Sequence, residues 1–177
     1  TVTNAGKSTS KGVELSVRYN PTNNFTLFTE YGYARAQFKN YETTEKVNGE
    51  LKPVDYSGNY IPFAPQHTLS VGASYVYNFS RNSFIDRLVA NAQYTGAGKI
   101  YWNEENSAHQ SFYGLTNASL SLHKGSVSLE FWGKNIFDKS YNSFYFKAAD
   151  MGGHENAYVQ RGTPSRFGAT VKYTINK

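Results

Sequence analysis

The residues best suited to chemistry fall in two polar stretches. Glu104, Glu105 and His109 lie in "YWNEENSAHQ", and Asp150, His154 and Glu155 lie in "DMGGHE". Each trio offers carboxylates and an imidazole, a set that can hold a metal ion or move a proton. Tyr101-Trp102 and Phe112-Tyr113 flank the first trio with rings on which a small ligand can stack. Tyr56 and Asn59 of "DYSGNY" add another aromatic and another amide. The ligand-contact candidates are therefore Tyr56, Asn59, Tyr101, Trp102, Glu104, His109 and His154. Against catalysis, no Ser/His/Asp arrangement stands on a strand rim. With no cysteine there is no thiolate metal site and no disulfide framework. Both trios read as hydrophilic loops, with no catalytic residue, metal centre or cofactor expected.

The elements between these loops alternate with period two. "GVELSVRY" sets Val13, Leu15, Val17 and Tyr19 against Glu14, Ser16 and Arg18. "FTLFTEYGY", "LSVGASYVYNF", "LVANAQY", "TNASLSL", "SVSLEFW" and "FGATVKYTIN" repeat the pattern, and no stretch has a helical period. The chain is 16% aromatic but only 18% charged, with a mean hydropathy of −0.59, which suits sheets with one apolar face. No apolar run is long enough for a transmembrane helix, but barrel strands escape that test. The net charge of +5 is scattered, so a nucleic-acid partner is not expected.

Connections alternate in length as well. Asn20–Asn24, Ser80–Ser83 and His123–Gly125 are short; Asn40–Gln66, Gly96–Ser111 and Lys147–Gln160 are long. Short turns on one side and long loops on the other mark an outer-membrane barrel. The pattern requires Ser126 to Phe146 to be one strand, bent by a bulge near Asn135–Asp138. Tyr19, Phe25, Tyr77, Phe79, Phe84 and Tyr173 lie near short turns or the C-terminus, as a girdle at the lipid headgroups would. Tyr31, Tyr33, Tyr94 and Phe112 would form the upper girdle. The expected fold is all-β: an antiparallel meander of about seven long strands, forming an arc of a transmembrane β-barrel. An odd count puts the chain ends on opposite sides of the membrane, whereas single-chain bacterial barrels use even numbers. Residues 1–177 are thus expected to be the C-terminal segment of a larger barrel. Two alternatives are a complete barrel of about eight strands with a structural or adhesive role, and a soluble β-barrel that binds a ligand.

Four motifs in order carry a family resemblance. "GKSTSKGVE", "SGNYIPFAP", "NIFDKSY" and "RGTPSRFG" resemble the signatures of TonB-dependent outer-membrane receptors, on the side of those that take up iron complexes. One departure is that such barrels usually end on an aromatic residue, whereas here Tyr173 and Ile175 hold the outward positions before Asn176-Lys177. The resemblance implies a barrel of about 22 strands around an N-terminal plug. It implies a place in the bacterial outer membrane, with the lipid bilayer, TonB (through the plug region) and a ferric siderophore or related ligand as partners. The motifs themselves have structural readings. Gly12 and Gly168 relieve crowding at strand starts, Pro62 and Pro65 stiffen a loop, and Asn135 and Asp138 bond local backbone at a bend.

Overall fold

The computed structural model describes residues 6–47, 50–152 and 154–175. The Asn176-Lys177 end and a few positions in two of the long loops lie outside the described residues. Every described regular element is a strand. In chain order they are β1 (Ser8–Thr22), β2 (Phe25–Phe38), β3 (Glu42–Val47), β4 (Glu50–Asp55), β5 (His67–Asn78), β6 (Arg87–Gly98) and β7 (Ile100–Tyr101). These are followed by β8 (His109–Gln110), β9 (Tyr113–Lys124), β10 (Val127–Lys134), β11 (Asn142–Ala149), β12 (Glu155–Arg161) and β13 (Arg166–Tyr173). Among the described residues no helix is long and apolar enough to cross a membrane, which says nothing of strands.

Seven of the strands form one antiparallel sheet in the order β1-β2-β5-β6-β9-β10-β13, a meander with β1 and β13 at its edges. The other six form three hairpins (β3-β4, β7-β8 and β11-β12), one in each long connection. The short connections are tight for local reasons. The Asn24 amide donates to Thr22 Oγ1 at 3.3 Å. Gly125 takes a φ of 53°, which glycine adopts without a steric penalty. At the next turn Asp86 accepts from the Gly125 amide at 2.7 Å and from Lys124 Nζ at 2.8 Å, fastening two neighbouring short turns together. These bonds, the lysine's first, hold the Asp86 carboxyl below the usual carboxylate range.

Register puts like with like across the sheet. One row runs Val17, Thr29, Val71, Tyr94, Thr116, and another Phe25, Tyr75, Ala90, Leu120, Phe131, Ala169. The interleaved rows are mostly polar. Ser16, Glu30, Ser70 and Thr95 form one, and Thr26, Ser74, Asn91, Ser119, Trp132 and Gly168 another. A slip of one residue would exchange the two faces, so the register is strongly specified. The apolar face is left open: Leu15, Val71 and Val171 are 56%, 39% and 71% exposed. A soluble sandwich would seal these side chains together, and here they stand open.

Bulky rings on the polar face fit against glycines. Phe28 covers Gly72 and the Trp132 ring covers Gly168, with Trp132 Nε1 donating to Thr170 Oγ1 at 3.2 Å. The expected reading of Gly168 holds. At Gly12 the backbone of Tyr33 and Ala34 comes too close for a side chain.

One expectation needs correcting. Ser126 to Phe146 is not a single bent strand: β10 ends at Lys134, and β11 pairs only with β12 in a separate hairpin. The partner of β10 is β13, so the chain leaves the sheet at Asn135 and returns at Arg166. The break is built by Asn135 and Asp138, whose φ values are 47° and 50°. Backbone in that left-handed region cannot continue a strand.

Candidate functional site

The long-loop end of the sheet carries a packed layer, and all the buried apolar side chains of the described residues belong to it: Phe38, Tyr41, Tyr56, Ile100 and Trp102. Phe38, Tyr41 and Tyr56 form a ring cluster against Val54 and Ile61, with the Phe38 and Tyr41 centroids 4.6 Å apart. Segment 58–61 lies along the top of β2, where Phe38 N donates to Asn59 O at 2.9 Å and Ile61 N to Ala36 O at 3.0 Å. The "SGN" turn makes this possible, because Gly58 adopts a φ of 88° and its amide reaches Phe38 O at 2.8 Å.

The second long loop is tied to the first by amide side chains. Asn106 receives the Tyr60 amide on Oδ1 at 2.7 Å and donates through Nδ2 to Tyr60 O at 2.9 Å. Asn59 Nδ2 donates to Glu104 O at 2.8 Å. Above these bonds the Tyr60 and Tyr101 rings stack at 5.4 Å with an interplanar angle of 16°. Lys99 Nζ lies 4.8 Å from the Tyr101 ring centre and the His109 ring 5.8 Å from it. Phe63 then joins all three loops, with centroids 5.7 Å from Trp102 and 5.6 Å from Phe144 of β11.

Of the seven ligand-contact candidates, the structure thus brings six into one layer. Tyr56 and Trp102 are buried in it, at 7% and 8% exposure, and serve as packing. Asn59 and the Glu104 backbone serve as the tie between loops. Tyr101 is half-buried, and His109 is exposed beside it. His154 stands apart on the turn of the β11-β12 hairpin, with its side chain 83% exposed. Tyr60, Lys99, Phe63 and Asn106 were not singled out from the sequence. Their roles depend on contacts between different loops, and no local pattern announces such contacts.

Neither trio gathers all three of its side chains: Glu105 turns into its own loop, and in the second trio only His154 Nδ1 and Asp150 Oδ1 meet, at 3.4 Å. Glu105 accepts from Ser107 Oγ at 2.8 Å and Asn103 Nδ2 at 3.3 Å, which closes the 103–108 turn. In the other trio Asp150 receives the amides of His154 and Gly152, each at 2.9 Å, and these bonds, the His154 amide first, hold its carboxyl low. Glu155 pairs instead with Lys147 across the hairpin at 3.2 Å and raises the lysine. Among the described residues no three such side chains lie close enough to hold a metal ion. The Tyr56 phenol lies inside the loop core. Burial first, then the nearby Glu45 carboxylate, pushes its ionisation far up, and its buried Oη lacks a partner of good hydrogen-bond geometry among the described residues.

The "NIFDKSY" segment forms a hub at the top of β10. Asn135 is 4% exposed. Its Nδ2 donates to Lys139 O at 3.1 Å and Thr163 O at 3.0 Å, its Oδ1 accepts the Lys139 amide at 2.9 Å, and its own amide reaches Asn117 Oδ1 at 3.0 Å. Asp138 Oδ1 accepts the Ser165 amide at 2.8 Å, and Tyr141 lies over Gly162 and stacks on Tyr113 at 4.3 Å. The motif therefore closes the excursion between β10 and β13.

An open apolar face, mostly polar rows on the opposite face and loops packed at one end fit an arc of a transmembrane β-barrel. The chain belongs to the TonB dependent receptor-like β-barrel family, whose family model matches residues 1–136. It is similar to the pesticin receptors of Yersinia pestis and Yersinia enterocolitica, each 24% identical over 145 residues and 81% of this chain. Among solved structures, the ferric yersiniabactin uptake receptor FyuA of Yersinia pestis superposes with a TM-score of 0.77 at 19% identity, over 96% of this chain and 24% of that one. The siderophore receptor PiuA of Acinetobacter baumannii gives 0.70 at 19% identity, over 94% of this chain and 22% of that one. At these identities the likeness is one of fold. The chain spans about a fifth of the curated relatives' length, and these relatives are named as receptors, not enzymes.

Proposed function

We propose that this chain is the C-terminal part of the barrel wall of a TonB-dependent outer-membrane receptor, and that the parent protein imports a ferric siderophore or related iron complex. The observation that carries the reading is the register of the seven-stranded sheet, which gathers most of the apolar side chains on one uncovered face. Such a face suits hydrocarbon, and its Ser, Asn and Gln reverse suits a hydrated lumen. Tyr19, Tyr77, Phe79, Phe84 and Tyr173, all at least 36% exposed, and Phe25, packed edge-on against Tyr75, would form the headgroup girdle. The plug and the TonB contact would belong to the part of the receptor upstream of residue 1. The iron-complex assignment draws support from the names of the relatives.

Within this reading, Tyr101 is the ligand-facing residue, with His109 and Lys99 beside it. Rings with an adjacent cation suit an anionic chelate that has a planar metal-binding group. Asn59, Glu104, Tyr56 and Trp102 hold that surface in place, and His154 supplies a contact from the neighbouring hairpin. Uptake of radiolabelled iron by iron-starved cells lacking the parent gene is the test. Import of at least one ferric siderophore should fall and return on complementation, and Tyr101→Ala should weaken binding several-fold without loss of the folded receptor. Unchanged uptake of every ferric siderophore offered, alongside lost uptake of a different solute, would refute the ligand assignment.

A further inference from the structure

The outward face of the sheet is empty of negative charge. The seven strands contain three carboxylates, Glu14, Glu30 and Glu130, and register places all three on the polar face. The outward face carries three permanent cations: Lys124 at the short-turn end, and Lys11 and Arg35 at the long-loop end. Lys124 is paired with Asp86 at 2.8 Å. Lys11 and Arg35 instead stand directly opposite each other in the β1-β2 ladder, both exposed, and among the described residues neither forms a salt bridge. Arg35 spends its Nε on Gln37 Oε1 at 2.8 Å, which leaves its terminal nitrogens for another acceptor.

Opposed like charges on one face weaken a strand pair. The next row down on this face is Val13 and Tyr33, with His67 beside Tyr33 at a ring separation of 5.1 Å. Tyr31 Oη and His67 Nδ1 meet at 2.8 Å just below, making a shelf of rings. The two cations therefore sit roughly 7 Å along the strands beyond the last apolar row. At that height, just past the aromatic belt, lipid headgroups replace acyl chains.

We propose that Lys11 and Arg35 form a binding site for the phosphate of a lipid headgroup in the leaflet on the long-loop side, with the Tyr33–His67 shelf beneath it. The inference rests on the membrane placement given above. The phosphate bridges the two side chains and removes their repulsion. The guanidinium supplies paired donors and the ammonium a point charge. Among the described residues, no other position on the outward face offers two unpaired cations to one anion.

Native mass spectrometry of the full-length receptor in nonionic detergent tests the site. The probes are phosphatidic acid, diacylglycerol with the same chains, and inorganic phosphate. Phosphatidic acid should stay bound and diacylglycerol should not, and millimolar inorganic phosphate should leave the lipid in place. Lys11→Gln combined with Arg35→Gln should reduce retention by on the order of tenfold, whereas Lys11→Arg should retain it. Equal retention by the double variant, equal binding of diacylglycerol or displacement by inorganic phosphate would overturn the site. Flotation of each form with liposomes after a urea wash separates the two readings. If both forms float and bind the lipid equally, only the lipid site falls; if neither floats, the membrane placement falls and the site goes with it.

Discussion

In the seven-stranded sheet, large apolar side chains stand open, with Val13, Val171 and Tyr173 between 66% and 71% exposed. In the loop layer above it, Phe38, Tyr41, Tyr56, Ile100 and Trp102 are at most 9% exposed. The sheet satisfies its backbone through ladders and leaves its apolar face for whatever surrounds it. The loop rings instead cover one another and build a small core of their own. The same aromatic residue types thus anchor a surface in one region and fill an interior in the other.

Truncation should separate the regions most sharply. Trp102→Ala removes a ring that packs on Phe63, and the loss should cost the loop layer about 3–5 kcal/mol. Limited proteolysis of the full receptor should then cut within 56–66 and 99–111 while the barrel keeps its heat-resistant gel mobility. Val171→Ala, on the open face, should change neither readout. If both variants behave alike, the two regions are not packed differently.

Charge insertion tests the two faces of the sheet. Val71→Arg should cost about 2–4 kcal/mol in the bilayer folding equilibrium. Ser121 lies on the other face, opposite Glu130. Ser121→Arg should therefore change stability by no more than about 0.5 kcal/mol. Equal costs would remove the distinction between a lipid face and a lumen face. A smaller effect is expected where the two regions meet. Asn135 Nδ2 serves the carbonyls of Lys139 and Thr163. Asn135→Ala strands both and should cost about 1–3 kcal/mol. Amide exchange should speed up across 135–141 and 162–165 and stay slow in β9 and β10; uniform acceleration would mean that the hub holds the sheet itself.

The smallest effect concerns the short-turn end. The folded-state pKa of Asp86 lies below its ordinary value of 3.8. Its bonds to Lys124 and Gly125 therefore add stability above that pH, and the addition is lost as pH falls through the folded value. Asp86 is exposed, so screening keeps the contribution small. Asp86→Asn should lower the midpoint of thermal unfolding slightly at pH 7, and the gap to the wild type should narrow as pH falls below 3.8 and close once it has passed the folded value. A gap that persists in acid would show that the geometry of the turn matters more than its charge.

Strand positions were legible in the sequence because alternation is a local property. Val13-Leu15-Val17 and Leu69-Val71-Ala73 declare their faces without reference to any neighbour. The short turns could be read for the same reason, from Asn23-Asn24 and Gly125. The end of β10 was not legible. "SVSLEFWGKNIFDKSYNSFYF" keeps its apolar residues through the break, and the left-handed backbone at Asn135 is stabilised by Thr163 and Asn117, which are distant in the chain. Tyr56 and Trp102 illustrate a second limit. From sequence they were rings in polar loops, free to meet a ligand, and only the packing of one loop on another buries them.

By itself, then, the sequence determined an all-β meander with one apolar face, because side-chain direction along a strand follows from parity alone. Tertiary structure decided which aromatic rings are covered, where β10 stops and which loop residues share a surface. Those outcomes depend on contacts between residues far apart in the chain, which form only once the sheet has brought the loops to the same end.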